Sequence, residues 1–208
     1  VNENDVKDYY RHIERYDWID DTRYPAKLFH QARAKHIAGL ANQAINDGQL
    51  VVDVGCGTGL ITRSLKGNVV GIDINSWALE RARIHCPGKR FIEAESSHLP
   101  FADNSIDVVV CSDVLEHLVN AEETVHEIYR ILKPQHLFVG EVPSESWLWK
   151  YRRLWGSTYK GREPFYYNYN HNQLRKLLEW FGQVKIRQVA FGAELSFTAR
   201  KGDVCRPS

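Results

Sequence analysis

From position 48 onward the chain alternates short apolar runs with longer amphipathic stretches. The runs at 50–54, 68–73, 89–93, 106–112 and 136–142 are too short for helices and several are rich in Val and Ile, so each predicts a strand. Helical spacing at 58–66, 75–86 and 121–132 fills intervals between them. The last of these helices stops at Lys133-Pro134, because proline cannot continue it. Strands separated by helices predict a parallel sheet covered on both faces. A helix at about 171–181 and strands near 183–190 and 193–200 bring the sheet to seven strands.

Ahead of this rhythm, residues 1–22 mix polar and aromatic positions, and Tyr24-Pro25 marks a boundary. From Ala26 to about Asn46 apolar residues recur at helical spacing (Leu28, Ala32, Ile37, Leu40, Ala41, Ala44), and Asp47-Gly48 ends that helix. The expectation is a single domain over 1–208. It comprises a helical cap at 1–47, a core at 48–142, an insertion at 143–170, and a closing helix and strands at 171–208. The fold class expected is α/β, Rossmann-like and doubly wound, with a mostly parallel sheet.

Composition narrows the setting. With 208 residues, 43% hydrophobic and 25% charged, the chain has the make-up of a globular protein and not of a disordered one. No apolar run approaches the roughly 20 residues of a membrane helix, and the start, VNENDVKDYY, lacks the apolar stretch of a signal peptide, so a cytoplasmic location is expected. Lys and Arg number 27 against 26 Asp and Glu, a balance that makes nucleic acid an unlikely partner for the chain as a whole. Cys56, Cys86, Cys111 and Cys205 form no CxxC pair and no Cys/His cluster at zinc spacing. They read as reduced thiols, with no metal expected.

The densest chemical signal is Val51 to Gly59, VVDVGCGTG. Each glycine costs conformational entropy, so three at alternate positions after a strand indicate a backbone approached closely by a ligand. Dinucleotide enzymes use GxGxxG; here the spacing of Gly55, Gly57 and Gly59 is GxGxG, and Asp53 just before it would repel a pyrophosphate and suit a cation. Asp73 ends the next strand, where a βαβ unit brings a carboxylate beside the glycine turn, able to accept two hydrogen bonds from a ribose. A nucleoside carrying an ammonium and a sulfonium fits both features: S-adenosylmethionine, with S-adenosylhomocysteine as product.

These residues resemble a class I S-adenosylmethionine-dependent methyltransferase of the type 11 small-molecule group. VVDVGCGTG is similar to that family's first motif, covering Asp53, Gly55, Cys56, Gly57 and Gly59, and Asp73 with Ile74 stands where its ribose-binding acid does. FIEAESSHLPFADNSIDVVV is similar to its third-strand loop and fourth strand, which implies that Glu95 and Ser96 meet the adenine. CSDVLEHL implies that the Ser112 carbonyl faces the methionine ammonium and that His117 lies near the sulfonium. HEIYRILKP matches the helix before the fifth strand, although the family usually follows KP with two glycines where this chain has Gln135-His136. The resemblance also implies that the last strand is antiparallel and that a lid follows strand five.

The activity implied is methyl transfer to O, N or C of a small or lipid-like acceptor by in-line displacement. Such a step needs positioning and exclusion of water more than acid help. A cofactor-binding scaffold without catalysis would keep the same motifs. His117 is the candidate base, with plain packing as its alternative. Tyr16, with Tyr9, Tyr10 and Trp18, is a candidate lid over the cofactor, and Arg33 a candidate partner for the methionine carboxylate; packing against the sheet is again the alternative. Residues 147–169 carry nine aromatics and five basic residues against one acid. If helical, WLWKYRRLW presents one apolar face, which can cap an acceptor pocket, lie on a membrane surface or bind an acidic partner, or join the core.

Overall fold

A computed structural model describes residues 1–14, 17, 19–20, 26–146 and 163–203. The expected helix in the 147–155 stretch, together with Tyr16, Trp18 and Cys205, lies outside the described residues. Seven strands form one sheet: β1 (Leu50–Val54), β2 (Asn68–Asp73), β3 (Arg90–Glu93), β4 (Ile106–Ser112), β5 (Leu132–Pro143), β6 (Gln183–Val189) and β7 (Glu194–Arg200). Their spatial order is β3-β2-β1-β4-β5-β7-β6. Strands β1 to β5 pair in parallel, while β7 runs antiparallel to both β5 and β6. The α/β class, the strand count and the reversed last strand are as expected.

The order reverses between β1 and β4, so their carboxyl ends open the crevice where ligands of such sheets sit. Alternation along the central strands divides the core. Val52, Val54, Val109 and Cys111 face α4 (Ala121–Ile131), whose Val125, Ile128 and Ile131 are fully buried. Val51, Val108 and Val110 face the opposite way, against Ile37, Ala38 and Ala41 of α2 (Ala26–Asn42). Buried on both sides, these strands are continuous apolar runs, which is why they were readable as strands. Helix α3 (Ser76–His85) lies along β2 and β3, α5 (His171–Leu177) against α4 and β6, and α1 (Glu3–His12) against α3.

Two expectations need correction. The stretch 58–66 is not a helix: only Thr62–Ser64 coil, as a short 3-10 turn closed by Leu65 N–H donating to the Thr62 carbonyl. Thr58, Gly59, Ile61 and Thr62 are poor helix formers, and the Thr62 hydroxyl is drawn to Asp53 at 2.5 Å. Strand β5 begins earlier than expected, at Leu132, and contains Pro134. The proline is accommodated because the β4–β5 register shifts between Ile106 and Val108, leaving residues 133–136 out of the ladder. Gln135 there has φ +64°, the left-handed conformation that a glycine would take more easily.

Candidate functional site

All three glycines of the turn after β1 have positive φ, at +69°, +51° and +90° for Gly55, Gly57 and Gly59. Their surroundings separate their jobs. A Cβ on Gly55 would stand 2.1 Å from Val114 Cγ2, and one on Gly59 would stand 2.6 Å from Cys86 Sγ, so both are needed for packing. A Cβ on Gly57 would meet nothing within 4 Å. Gly57 is therefore the point at which the backbone faces open space.

Asp73 stands beside it. Its Oδ2 accepts the Gly57 N–H at 2.8 Å and its Oδ1 the Asn75 N–H at 3.0 Å, so two backbone amides orient the carboxylate at the end of β2. Burial pushes its carboxyl up from the ordinary value, and the amides oppose that shift. Ile74 follows, half-buried. Asn75 caps α3 by accepting the Ala78 N–H, and its Nδ2 donates to the Tyr10 and Ile13 carbonyls at 2.8 and 2.7 Å. One side chain thus ties the end of α1 to the rim of the crevice.

The other expected residues are more varied. Asp53 is 2% exposed and holds Thr62; burial, with the Asp73 charge adding to it, raises its carboxyl to about 7. Its side chain anchors the segment after the turn. Cys56 and Cys111 are buried thiols pushed well above the ordinary range by desolvation, which suits packing and not nucleophilic attack. Glu95 is held by Lys7 at 2.9 Å and Arg11 at 3.2 Å, both on α1, and Ser96 Oγ is 2.8 Å from Thr124 Oγ1. Ser112 closes β4, buried, followed by Asp113 in a left-handed conformation at φ +58°.

His117 meets the Tyr10 hydroxyl at 2.7 Å through Nδ1, hydrogen bonds to the Phe165 backbone, and packs against the rings of Tyr10 and Tyr166. Burial lowers it to about 4, leaving a neutral imidazole that is a weak base. The packing alternative describes these contacts better than a catalytic one. Arg33 is 8% exposed and bonded through Nε to Glu141 and through Nη2 to Asp113 at 2.5 Å, with Glu194 at 3.7 Å. The carboxylates of Asp113, Glu141 and Glu194 thus already surround the guanidinium expected to meet the methionine carboxylate. Asp17, Asp20 and His85 bring possible metal-ligand atoms within 4.8 Å of one another, but Arg81 already bonds both carboxylates.

Sequence reasoning missed Asn75, Asp113, Glu116, Glu141 and Glu194. Glu141 carried a signal, being a charge inside an apolar strand run, LFVGEVP.

Residues 52–139 match the family described as "Methyltransferase domain". The match covers 88 of the 208 residues, and it supports the reading of that stretch as a methyltransferase core. Among curated relatives of this chain, the sterol 24-C-methyltransferase of Aspergillus fumigatus is 35% identical over 121 residues, 53% of this chain and 32% of that one. The 24-methylenesterol C-methyltransferase 2 of Arabidopsis thaliana is 37% identical over 106 residues, 46% of this chain and 29% of that one. The chain thus spans about a third of the length of these relatives. Among solved structures, magnesium protoporphyrin IX methyltransferase from Synechocystis, with bound S-adenosylhomocysteine, superposes with a TM-score of 0.73 at 18% identity, covering 97% of this chain and 100% of that one. At that identity the likeness speaks to fold.

Proposed function

We propose that this methyltransferase chain moves a methyl group from S-adenosylmethionine to an oxygen, nitrogen or carbon of a small or lipid-like acceptor. The observation that carries the reading is the pairing of Gly57, whose face is open, with Asp73, whose carboxylate two amides hold beside it. That pairing fits a nucleoside: the backbone admits close approach, and an oriented carboxylate accepts hydrogen bonds from a sugar diol. When bound, the cofactor supplies an electrophilic methyl group on a sulfonium that leaves without acid assistance.

The chain's own residues then bind, orient and exclude water. Gly55 and Gly59 shape the turn, Asp73 grips the sugar, and α1, tied down through Asn75, Glu95 and His117, covers the crevice. His117, neutral and engaged, positions Tyr10. A lipid-like acceptor draws support from the sterol methyltransferases among the relatives. No helix among the described residues is long and apolar enough to cross a membrane. A reducing, cytoplasmic setting is part of the proposal, supported by the buried thiols Cys56, Cys86 and Cys111, none in a disulfide.

The test is turnover. S-adenosylhomocysteine should accumulate from S-adenosylmethionine only when an acceptor is added, and calorimetry should show S-adenosylhomocysteine binding that depends on Asp73. Binding without turnover across sterol, amine and phenol acceptors would favour a scaffold, and tight NAD binding in its place would end the proposal.

A further inference from the structure

Helix α1 is held to the core by its polar edges and by very little burial. Of its 10 residues only Val6 is buried, at 3% exposure. A helix that short does not persist alone in water, so its position depends on what it touches. What it touches are the loops after three neighbouring strands. After β2, Asn75 Nδ2 donates to the Tyr10 and Ile13 carbonyls at 2.8 and 2.7 Å. After β3, Glu95 pairs with Lys7 at 2.9 Å and with Arg11 at 3.2 Å. After β4, His117 Nδ1 meets the Tyr10 hydroxyl at 2.7 Å. Strand β1 lies between β2 and β4 in the sheet, so a helix bound to the loops after both straddles the glycine turn.

Each of these latches joins two groups of the chain itself, and none needs a ligand to form. Each is also weak. The pairs with Glu95 are partly exposed and screened by salt. The bond between Tyr10 and His117 joins neutral groups, because burial lowers the imidazole to about 4. Against them stands the Tyr9 hydroxyl, buried with no hydrogen-bond partner among the described residues, a cost that the docked position of α1 carries. A segment with one buried side chain and a few such bonds opens far more readily than the sheet unfolds.

We propose that α1 is a gate: it detaches as a unit from the three loops to admit the cofactor and to release the product, and its detachment limits the rate of both. The inference rests on the methyltransferase reading and adds to it the step that controls ligand exchange. Because the latches are contacts within the chain, weakening one favours the open position equally with and without a ligand beneath, and the affinity is unchanged. A residue that held the ligand directly would lose affinity instead.

Association and release of S-adenosylhomocysteine, followed on the immobilised full chain by surface plasmon resonance, separate these cases. Tyr10→Phe, which keeps the ring and loses the hydroxyl, should raise both rate constants about threefold or more and leave Kd within about twofold. The double variant Lys7→Gln with Arg11→Gln should do the same, and added sodium chloride should quicken both rates in the native chain more than in this variant. Tyr9→Phe removes the unpaired hydroxyl and should slow both rates.

Release that quickens alone, with affinity lost in proportion, would overturn the proposal and make α1 part of the ligand's binding surface. So would unchanged rates in both Tyr10→Phe and the double variant. If one of these fails to melt cooperatively, the other carries the test. Should S-adenosylhomocysteine not bind at all, the cofactor reading falls, and hydrogen exchange decides the gate without it. Amides of α1 that exchange together, ahead of the sheet and faster in Tyr10→Phe, support the gate; exchange in step with β1 and β4 overturns it.

Discussion

The two halves of the sheet's carboxyl edge are built from different materials. At β1 and β2 the site is main chain: a glycine turn, two amides on Asp73, and residues that are neighbours in sequence or one βαβ unit apart. At β4, β5 and β7 it is side chain: Arg33, Asp113, Glu116, Glu141 and Glu194, scattered along most of the chain and joined only by folding. The first half tolerates almost no change of backbone. The second depends on charge and can be altered one residue at a time.

Substitutions that separate those two dependences test the contrast. The largest effect should come from Gly55→Val, which forces a side chain into Val114 at a left-handed φ and should cost about 3 kcal/mol or more of stability in urea unfolding. Gly57→Ala should cost only about 1 kcal/mol, because its Cβ meets nothing, while weakening S-adenosylhomocysteine clearly in calorimetry. Equal losses of stability would erase the distinction drawn between the two glycines.

Asp53 gives a pH test. Its folded value is raised from 3.8 to about 7, so the folded chain holds a proton that the unfolded chain releases. The stability this contributes is complete below about pH 4 and is lost as pH rises through about 7. Asp53→Asn should flatten the decline, becoming the more stable form above pH 7 by a margin on the order of 2 kcal/mol in thermal melts. A variant with the same pH slope as the native chain would show that Thr62 and Lys89 already stabilise the ionised form.

Smaller again, Asp73→Ala should reduce S-adenosylhomocysteine affinity by about 1–2 kcal/mol in calorimetry, with little change in unfolding. Smallest of all should be Glu95→Gln, which breaks the partly exposed pairs with Lys7 and Arg11 and is expected to change stability by less than about 1 kcal/mol. Amide exchange in α1 should nevertheless quicken. Unchanged exchange would mean that Asn75 and His117 hold that helix alone.

The same contrast explains what the sequence disclosed. Strands β1, β2 and β4 have the expected bounds because burial on both faces leaves unbroken apolar runs, and the glycine turn was legible because its chemistry lies in consecutive residues. The 58–66 stretch misled because its apolar spacing was weighed above the poor propensity of Thr58, Gly59 and Thr62. The ion-paired group of Arg33, Asp113 and Glu141 was invisible: nothing in local spacing says that β5 lies beside β4. Asn75 gave no local sign of its grip on Tyr10 and Ile13, which depends on how α1 returns across the molecule.

The reversed direction of β7 has a consequence for how such a protein can diversify. Because β7 runs opposite to β5, its first residue, Glu194, and the tight bend at 190–193 that joins it to β6 fall on the ligand-facing rim. Phe191 in that bend is 96% exposed. A connection there can be lengthened or rewritten without moving a central strand, so new specificities can be tried at the sheet's margin while the nucleoside-binding half stays fixed.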